Sequence, residues 1–283
     1  MKPSLLRARL RALLSNGRTV VAPGAYDPLT AIQVERAGFD VVYVGSYALA
    51  SSLGLPDVGI LDMSEMASRL SEICNAVSVP IIADAENGFF NAAGIGRVVR
   101  AFEKSGISGI HIEDHESGKH TNLPKRIIAL DQMVEKIRAA LDAREDPDFL
   151  IIARTDVAWA TGKIADAVER MIAFSDAGAD AVMPTGITVE QLSDIRRLIP
   201  AKIVIVNSAP ATVADEQAAG ADLVIYHSLC LYAATRAVTK TLETFRKTLD
   251  LNSVDPSMAR REDVDALLGY DCFNERAKHY KLT

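Results

Sequence analysis

Eight short runs of apolar, largely β-branched residues recur along this chain, and a stretch of helical period follows each of them. The runs are Val20–Ala22, Val41–Val44, Pro80–Ala83, Gly109–Ile112, Leu150–Ala153, Ala181–Met183, Ile203–Val206 and Leu223–Ile225. The helical stretches are Leu29–Ala37, Ser64–Ala76, Ala92–Ser105, Leu130–Ala143, Ile164–Ala177, Val189–Leu198, Thr212–Ala219 and Leu229–Leu249. Several close on the small residue plus glycine that ends a helix, as in Ala37-Gly38, Ser105-Gly106, Ala177-Gly178 and Ala219-Gly220. Strands that are apolar throughout, rather than at alternate positions, are buried on both faces and belong to a parallel sheet covered by helices. Eight such units predict an α/β fold of the (β/α)8 TIM-barrel class. An open doubly wound sheet, the competing arrangement, calls for a Gly-rich phosphate turn after its first strand, and none is present. The 283 residues suit one barrel domain over 1–283.

Three segments stand outside the eightfold pattern. The start, MKPSLLRARLRALLSNG, reads as an amphipathic surface helix and lacks the apolar core and cleavage site of a signal peptide. The polar stretch His115–Arg126 is too long for an ordinary strand-to-helix loop and is a candidate lid. The tail from about Asn252 is broken at Pro256 and resumes helical period over Ala259–Leu268 and Phe273–Tyr280. Helices beyond a complete barrel have no core of their own, so a neighbouring subunit is expected to cover them. A net charge of −6 without a basic stripe argues against nucleic acid or an anionic membrane as partner. No run of 18 apolar residues exists, and three widely spaced cysteines fit neither a disulfide framework nor a zinc site. A cytoplasmic enzyme is expected.

Chemistry in such a barrel sits at the carboxyl ends of the strands. There the sequence places Gly45-Ser46-Tyr47, Asp84-Ala85-Glu86, Glu113-Asp114, Arg154-Thr155-Asp156, Thr185, Asn207-Ser208 and Tyr226-His227, with Asp57 in the second loop. Asp57, Asp84, Glu86 and Glu113 then form an acidic cluster beside Arg154. Any one of these acids is as well explained by pairing with a basic side chain or a backbone amide. Four converging carboxylates repel, and a hard cation such as Mg2+ relieves the repulsion, with Mn2+ as a substitute. Arg154 is suited to grip a substrate carboxylate. His111 reads as a buried, hydrogen-bonded core residue, and His227 is open to either a site or a structural role.

At these residues the chain resembles the isocitrate lyase/phosphoenolpyruvate mutase superfamily. The resemblance runs from about Thr19 to Leu249 and rests on Pro23–Asp27, Leu53–Asp57 (LGLPD), Asp84–Gly88 (DAENG), Ile112–Asp114 (IED) and Ile152–Asp156 (IARTD). It implies a barrel whose last helix is swapped between the subunits of a dimer or tetramer. It further implies Mg2+ held through Asp57, Asp84, Glu86 and Glu113, and substrate anions bound by Gly45, Ser46, Tyr47 and Arg154. Asn207 and Tyr43 match a substrate-contacting asparagine and an active-site tyrosine of the methylisocitrate lyase branch. The sequence departs from the family in its lid, where Gly118–Leu123 (GKHTNL) has Thr121 near the position of a proton-donating cysteine. Glu86 replaces an aspartate, and Thr185 stands where the methylisocitrate branch has glutamate.

These readings point to Mg2+-dependent cleavage of a carbon–carbon bond in a small 2-oxo or 2-hydroxy dicarboxylate, through an enolate. Decarboxylation is slightly favoured over retro-aldol cleavage, because solvent can protonate an enolate once CO2 has left. Tyr43, Lys119 and Arg154 are the expected catalytic residues. The alternatives are phosphorus–carbon chemistry on a phosphonopyruvate-type acid, as mutase or hydrolase, and a barrel that binds a metabolite without turning it over.

Overall fold

The computed structural model describes residues 2–116, 120–207 and 209–281. The strands are β1 (Val20–Pro23), β2 (Val42–Val44), β3 (Ile81–Asp84), β4 (Gly109–Glu113), β5 (Leu150–Thr155), β6 (Ala181–Pro184), β7 (Lys202–Val206) and β8 (Leu223–Tyr226). They form one parallel sheet in the order β1-β8-β7-β6-β5-β4-β3-β2. Between the two ends of that order, a parallel bridge pairs Gly24 with Tyr43, and the Ala25 amide donates to the Tyr43 carbonyl at 2.8 Å. The result is a nearly closed (β/α)8 barrel. Gly24 permits this closure: a Cβ there would lie 2.0 Å from the His227 carbonyl oxygen.

The helices are α1 (Pro3–Ser15), α2 (Pro28–Arg36), α3 (Ser46–Ser52), α4 (Met63–Ala76), α5 (Ile95–Lys104), α6 (Leu130–Ala143), α7 (Val157–Thr161), α8 (Ile164–Asp176), α9 (Val189–Ile195) and α10 (Val213–Ala218). Reciprocal side-chain caps start several of them: Asp27 with Thr30, Asp62 with Glu65, Thr188 with Gln191 and Thr212 with Asp215. The short α3 and α7 follow β2 and β5 at the functional end of the barrel and were not expected from the helical period.

Val20, Ala22, Tyr43, Ile82, Ile152, Met183, Val204 and Ile225 pack together inside the barrel. Side chains alternate along a strand, so this inward set continues through Asp84, Arg154 and Thr185 toward the carboxyl ends. Leu10 and Leu14 of α1 belong to the same cluster. The first helix therefore plugs the amino-terminal ends of the strands, where the sequence suggested only a surface helix. Arg7 fastens it there. Its guanidinium is buried and donates to the carbonyls of Ile107 at 3.1 Å and Glu103 at 2.6 Å, and to the Asp146 carboxylate at 2.9 Å.

The 115–126 loop leaves β4 and is pinned at its base. His115 bridges Ile127, and the Glu116 amide donates to the Arg126 carbonyl at 2.8 Å. Arg170 of α8 joins Asp114 at 3.0 Å to the Ile128 carbonyl at 2.8 Å, which ties both hinges to the barrel wall.

The chain divides into two compact units, Met1–Leu229 with the barrel and Cys230–Thr283. The second holds nearly all of α11 (Leu229–Thr248), and α12 (Arg261–Leu268) and α13 (Tyr270–His279). Among the described residues, no helix is long and apolar enough to cross a membrane.

Arg7→Ala strips partners from buried acceptors, Glu103 among them. We expect a loss of about 3 kcal/mol in urea-induced unfolding of the metal-free protein. Arg9→Ala, one helical step away and exposed, should change stability by no more than about 0.5 kcal/mol.

Candidate functional site

Asp84 ends β3, and its carboxylate accepts the Glu86 amide at 2.7 Å. The backbone then returns to β4. The Ala85 amide donates to the His111 carbonyl at 3.0 Å, and the Glu113 amide donates to the Glu86 carbonyl at 2.9 Å. This stitching holds Glu86 at φ 51, in the left-handed region that a residue with a Cβ enters at a cost. Its consequence is chemical. Carboxylate oxygens of Asp84, Glu86 and Glu113 come within 4.8 Å of one another, with the residues only 3%, 7% and 2% exposed.

Three buried carboxylates at this spacing repel, and water is too scarce to screen them. Hard oxygen donors converging on a point fit Mg2+ or Mn2+. Asp57 lies beside the group rather than within it. The Ser46 hydroxyl stands 3.0 Å from Asp84 Oδ2 and 3.4 Å from Asp57 Oδ2, so one side chain links the two acids. The four acids of the sequence analysis thus become three around one point and a fourth one hydroxyl away.

Arg154 is the counter-charge. Its Nη1 lies 3.1 Å from Glu113 Oε2, while Nε and Nη2 donate to the two oxygens of Asp156 at 2.7 and 3.1 Å. Burial opposes its charge, but Asp156, Glu113 and Asp84 together outweigh that and hold the guanidinium firmly protonated. Asp156 is itself fixed by the Thr185 hydroxyl at 2.8 Å, and its backbone amide donates to Asp114 at 2.8 Å. Arg154 and Asp156 are i and i+2 on a strand end and share a face, so their pairing was open to a reading of IARTD that sequence analysis did not make.

Tyr43 lies along the inner wall with its hydroxyl 2.9 Å from His111 Nε2. His111 Nδ1 is 3.6 Å from Asp84 Oδ1. His111 is fully buried, as expected, yet it stands between the tyrosine and an acid of the cluster and is part of the site. Gly45 makes room for the tyrosine, since a Cβ there would be 2.8 Å from the Tyr43 ring. Gly45 then caps α3, and Ser46 and Tyr47 form its first turn.

The Tyr47 ring meets His227 and His120 edge-on, with centroids 6.0 and 6.2 Å apart. His227 is shifted below the usual histidine range by burial, reinforced by the charges of His120 and Arg154. His120 Nε2 is 3.3 Å from Asp57 Oδ2, which brings the described part of the candidate lid to the mouth of the site.

Asn207 takes a different direction. Val206 packs on the barrel interior, and the next residue along the pleat faces the other way. The Asn207 amide donates to Glu216 of α10 at 2.7 Å, and Tyr226 donates to the same carboxylate at 3.0 Å. The structure therefore does not bring Asn207 to the acids. Lys119 lies outside the described residues.

Glu86→Gln tests the electrostatic reading. In metal-free protein it removes one of three crowded charges, and stability should rise by about 1 kcal/mol, the worth of roughly one pKa unit of like-charge repulsion. Calorimetric titration of Mg2+ into the same variant should show weaker binding than wild type.

Known proteins are similar to this one over nearly all of the chain. The family model for phosphoenolpyruvate phosphomutase matches residues 10–246. The 2,3-dimethylmalate lyase of Eubacterium barkeri is 38% identical, over 96% of this chain and 97% of that protein. Among solved structures, a phosphoenolpyruvate phosphomutase from Streptomyces platensis subsp. rosaceus superposes with a TM-score of 0.92 at 33% identity, covering 97% of this chain and 99% of the other. A phosphonopyruvate hydrolase bound to oxalate and Mg2+ gives 0.90 at 30% identity, with 99% of each chain covered. Matches of this extent, on a barrel closed through Gly24 and Tyr43, settle descent: the chain belongs to the isocitrate lyase/phosphoenolpyruvate mutase superfamily.

Proposed function

We propose that this chain is a carbon–carbon lyase acting on a small 2-hydroxy or 2-oxo dicarboxylate with Mg2+, for which Mn2+ can substitute. The carrying observation is the buried group Asp84, Glu86 and Glu113 beside a guanidinium that its neighbours keep charged. These three acids would hold the ion, with Asp57 reaching it through the Ser46 side. When bound, the ion supplies Lewis-acid polarisation of the substrate's C2 oxygen and neutralises developing negative charge.

The protein's own groups supply the rest. Asp156 fixes one edge of Arg154 and turns Nη1 toward the acid cluster, where it is set to orient a substrate carboxylate. Cleavage of a 2-hydroxy acid passes the hydroxyl proton to a base and breaks C2–C3. The electron pair stays on C3 as an enolate of the second carboxylate, and C3 is finally protonated. We assign proton handling at C2 to Tyr43, whose hydroxyl has His111 as its partner at 2.9 Å. The positive end of α3, at Gly45, Ser46 and Tyr47, faces the developing charge. We keep Lys119 as a catalytic residue of the lid. A threonine hydroxyl at Thr121 is too weak an acid to replace a thiol.

Similarity to 2,3-dimethylmalate lyase over 96% of the chain supports retro-aldol cleavage of a malate-type acid over decarboxylation. The second reading, phosphorus–carbon cleavage, draws on the similarity to phosphonopyruvate hydrolase. The substrate is in either case a small carboxylate.

We propose a homo-oligomer as well, a dimer or tetramer. Val238, Leu242 and Phe245 of α11 fall at i, i+4 and i+7 and are 57%, 62% and 38% exposed. Such a stripe suits burial on a second subunit, in line with a swapped final helix. We place the enzyme in the cytoplasm and expect no nucleic-acid or membrane partner.

The test is a panel of alkylmalates, oxaloacetate and phosphonopyruvate, incubated with Mg2+ and read by product mass. A malate-type acid should split into two carboxylic acids, and chelator should stop the reaction. Turnover of phosphonopyruvate alone would favour the second reading, and turnover of none would refute both. On the productive substrate, Arg154→Lys keeps the charge but loses the planar fork, and kcat/KM should fall by about a hundredfold.

A further inference from the structure

Trp159, the single tryptophan of the chain, lies on α7, directly above Asp156 at the start of that helix. Three residues of the 115–126 loop converge on its indole. The His115 ring sits 5.9 Å from it, the His120 ring 5.7 Å, and Lys125 Nζ stands 4.2 Å above the ring centre. They come from the start, the middle and the end of the loop, and each meets the same side chain.

The indole stands on a fixed base. Asp156, which begins α7, is bonded to Arg154, Thr185 and Asp114. The β6–α9 loop also presses against α7. Gly186, at φ +74, lies so close that a Cβ there would be 2.5 Å from the Trp159 backbone.

We infer that Trp159 is a positioning residue: the post on which His115, His120 and Lys125 dock, and through which His120 is carried to Asp57 at the mouth of the site. Ring–ring contacts and an ammonium over an indole are each modest, but here they act on one short segment together. The loop's base hydrogen bonds fix its hinges, while His120 between them meets the indole together with Tyr47 and Asp57. What the docked loop covers rests on the site proposed above; the docking itself does not.

Limited trypsin digestion of the full chain reads the dock without any substrate, so its outcome is independent of the chemistry assigned. Trypsin cuts after Lys125 and Arg126 at the docked end of the loop. Trp159→Ala should be cleaved in this loop about tenfold faster than wild type. Trp159→Phe, which keeps a ring, should stay within about threefold of wild type, with the thermal midpoint of the barrel little changed. Lys125→Met leaves the post in place and removes only the cation. In it, acrylamide should quench Trp159 fluorescence about twofold more efficiently than in wild type, because the indole face is uncovered. Wild-type cleavage in a folded Trp159→Ala protein, or unchanged quenching in Lys125→Met, would overturn the proposal.

Discussion

Everything at the functional end of this barrel answers to the crowding of Asp84, Glu86 and Glu113 around one point. Such a cluster is unstable by itself, and the surrounding structure is arranged to hold it. Backbone hydrogen bonds from Ala85 and to Glu86 clamp the β3 loop onto β4 and keep Glu86 in a left-handed conformation that costs on the order of 1–2 kcal/mol. Arg154 contributes the opposing charge, and Asp156 sets its direction. A divalent ion bound there would complete the balance and turn a stored repulsion into binding free energy.

The pleat divides the strand ends into two sets with different tasks. Residues of the inward set, Tyr43, Asp84, Arg154 and Thr185, belong to the acid cluster or bond to His111, Glu113 and Asp156 around it. Those of the outward set hold the frame. Asp114, next to Glu113, joins Arg170 and through it the Ile128 hinge, and its burial raises its pKa despite the hydrogen bonds it accepts. Asn207, next to Val206, braces α10 through Glu216. The acid cluster and the anchoring of the candidate lid are thus built from adjacent residues on the same strands.

The strands and most barrel helices were legible because a buried parallel strand is apolar at every position and its helices carry a long amphipathic period. Helices α3 and α7 span too few turns for that period to register. In α1 the apolar stripe was plain, but a stripe does not say what covers it, and here Leu10 enters the barrel core. The acids and Arg154 stood out because charged residues directly follow apolar runs. Two further features depend on which way a side chain turns. His111 looks like a core histidine until Tyr43 and Asp84 are seen on either side of it, and the bond from Asn207 to Glu216 follows only once its parity against Val206 is counted. Trp159 has no signal in sequence at all, since its role depends on a loop folding back over it.

The central claim is that one divalent ion is held by the carboxylates at the ends of β3 and β4. Crystals grown with Mn2+ and oxalate, measured at a wavelength where manganese scatters anomalously, test it most directly. The account predicts a single strong peak within coordination distance of Asp84, Glu86 and Glu113, with oxalate standing in for a 2-oxo acid on its open side. A peak at some other group of side chains, or none at a concentration that supports turnover, would contradict it.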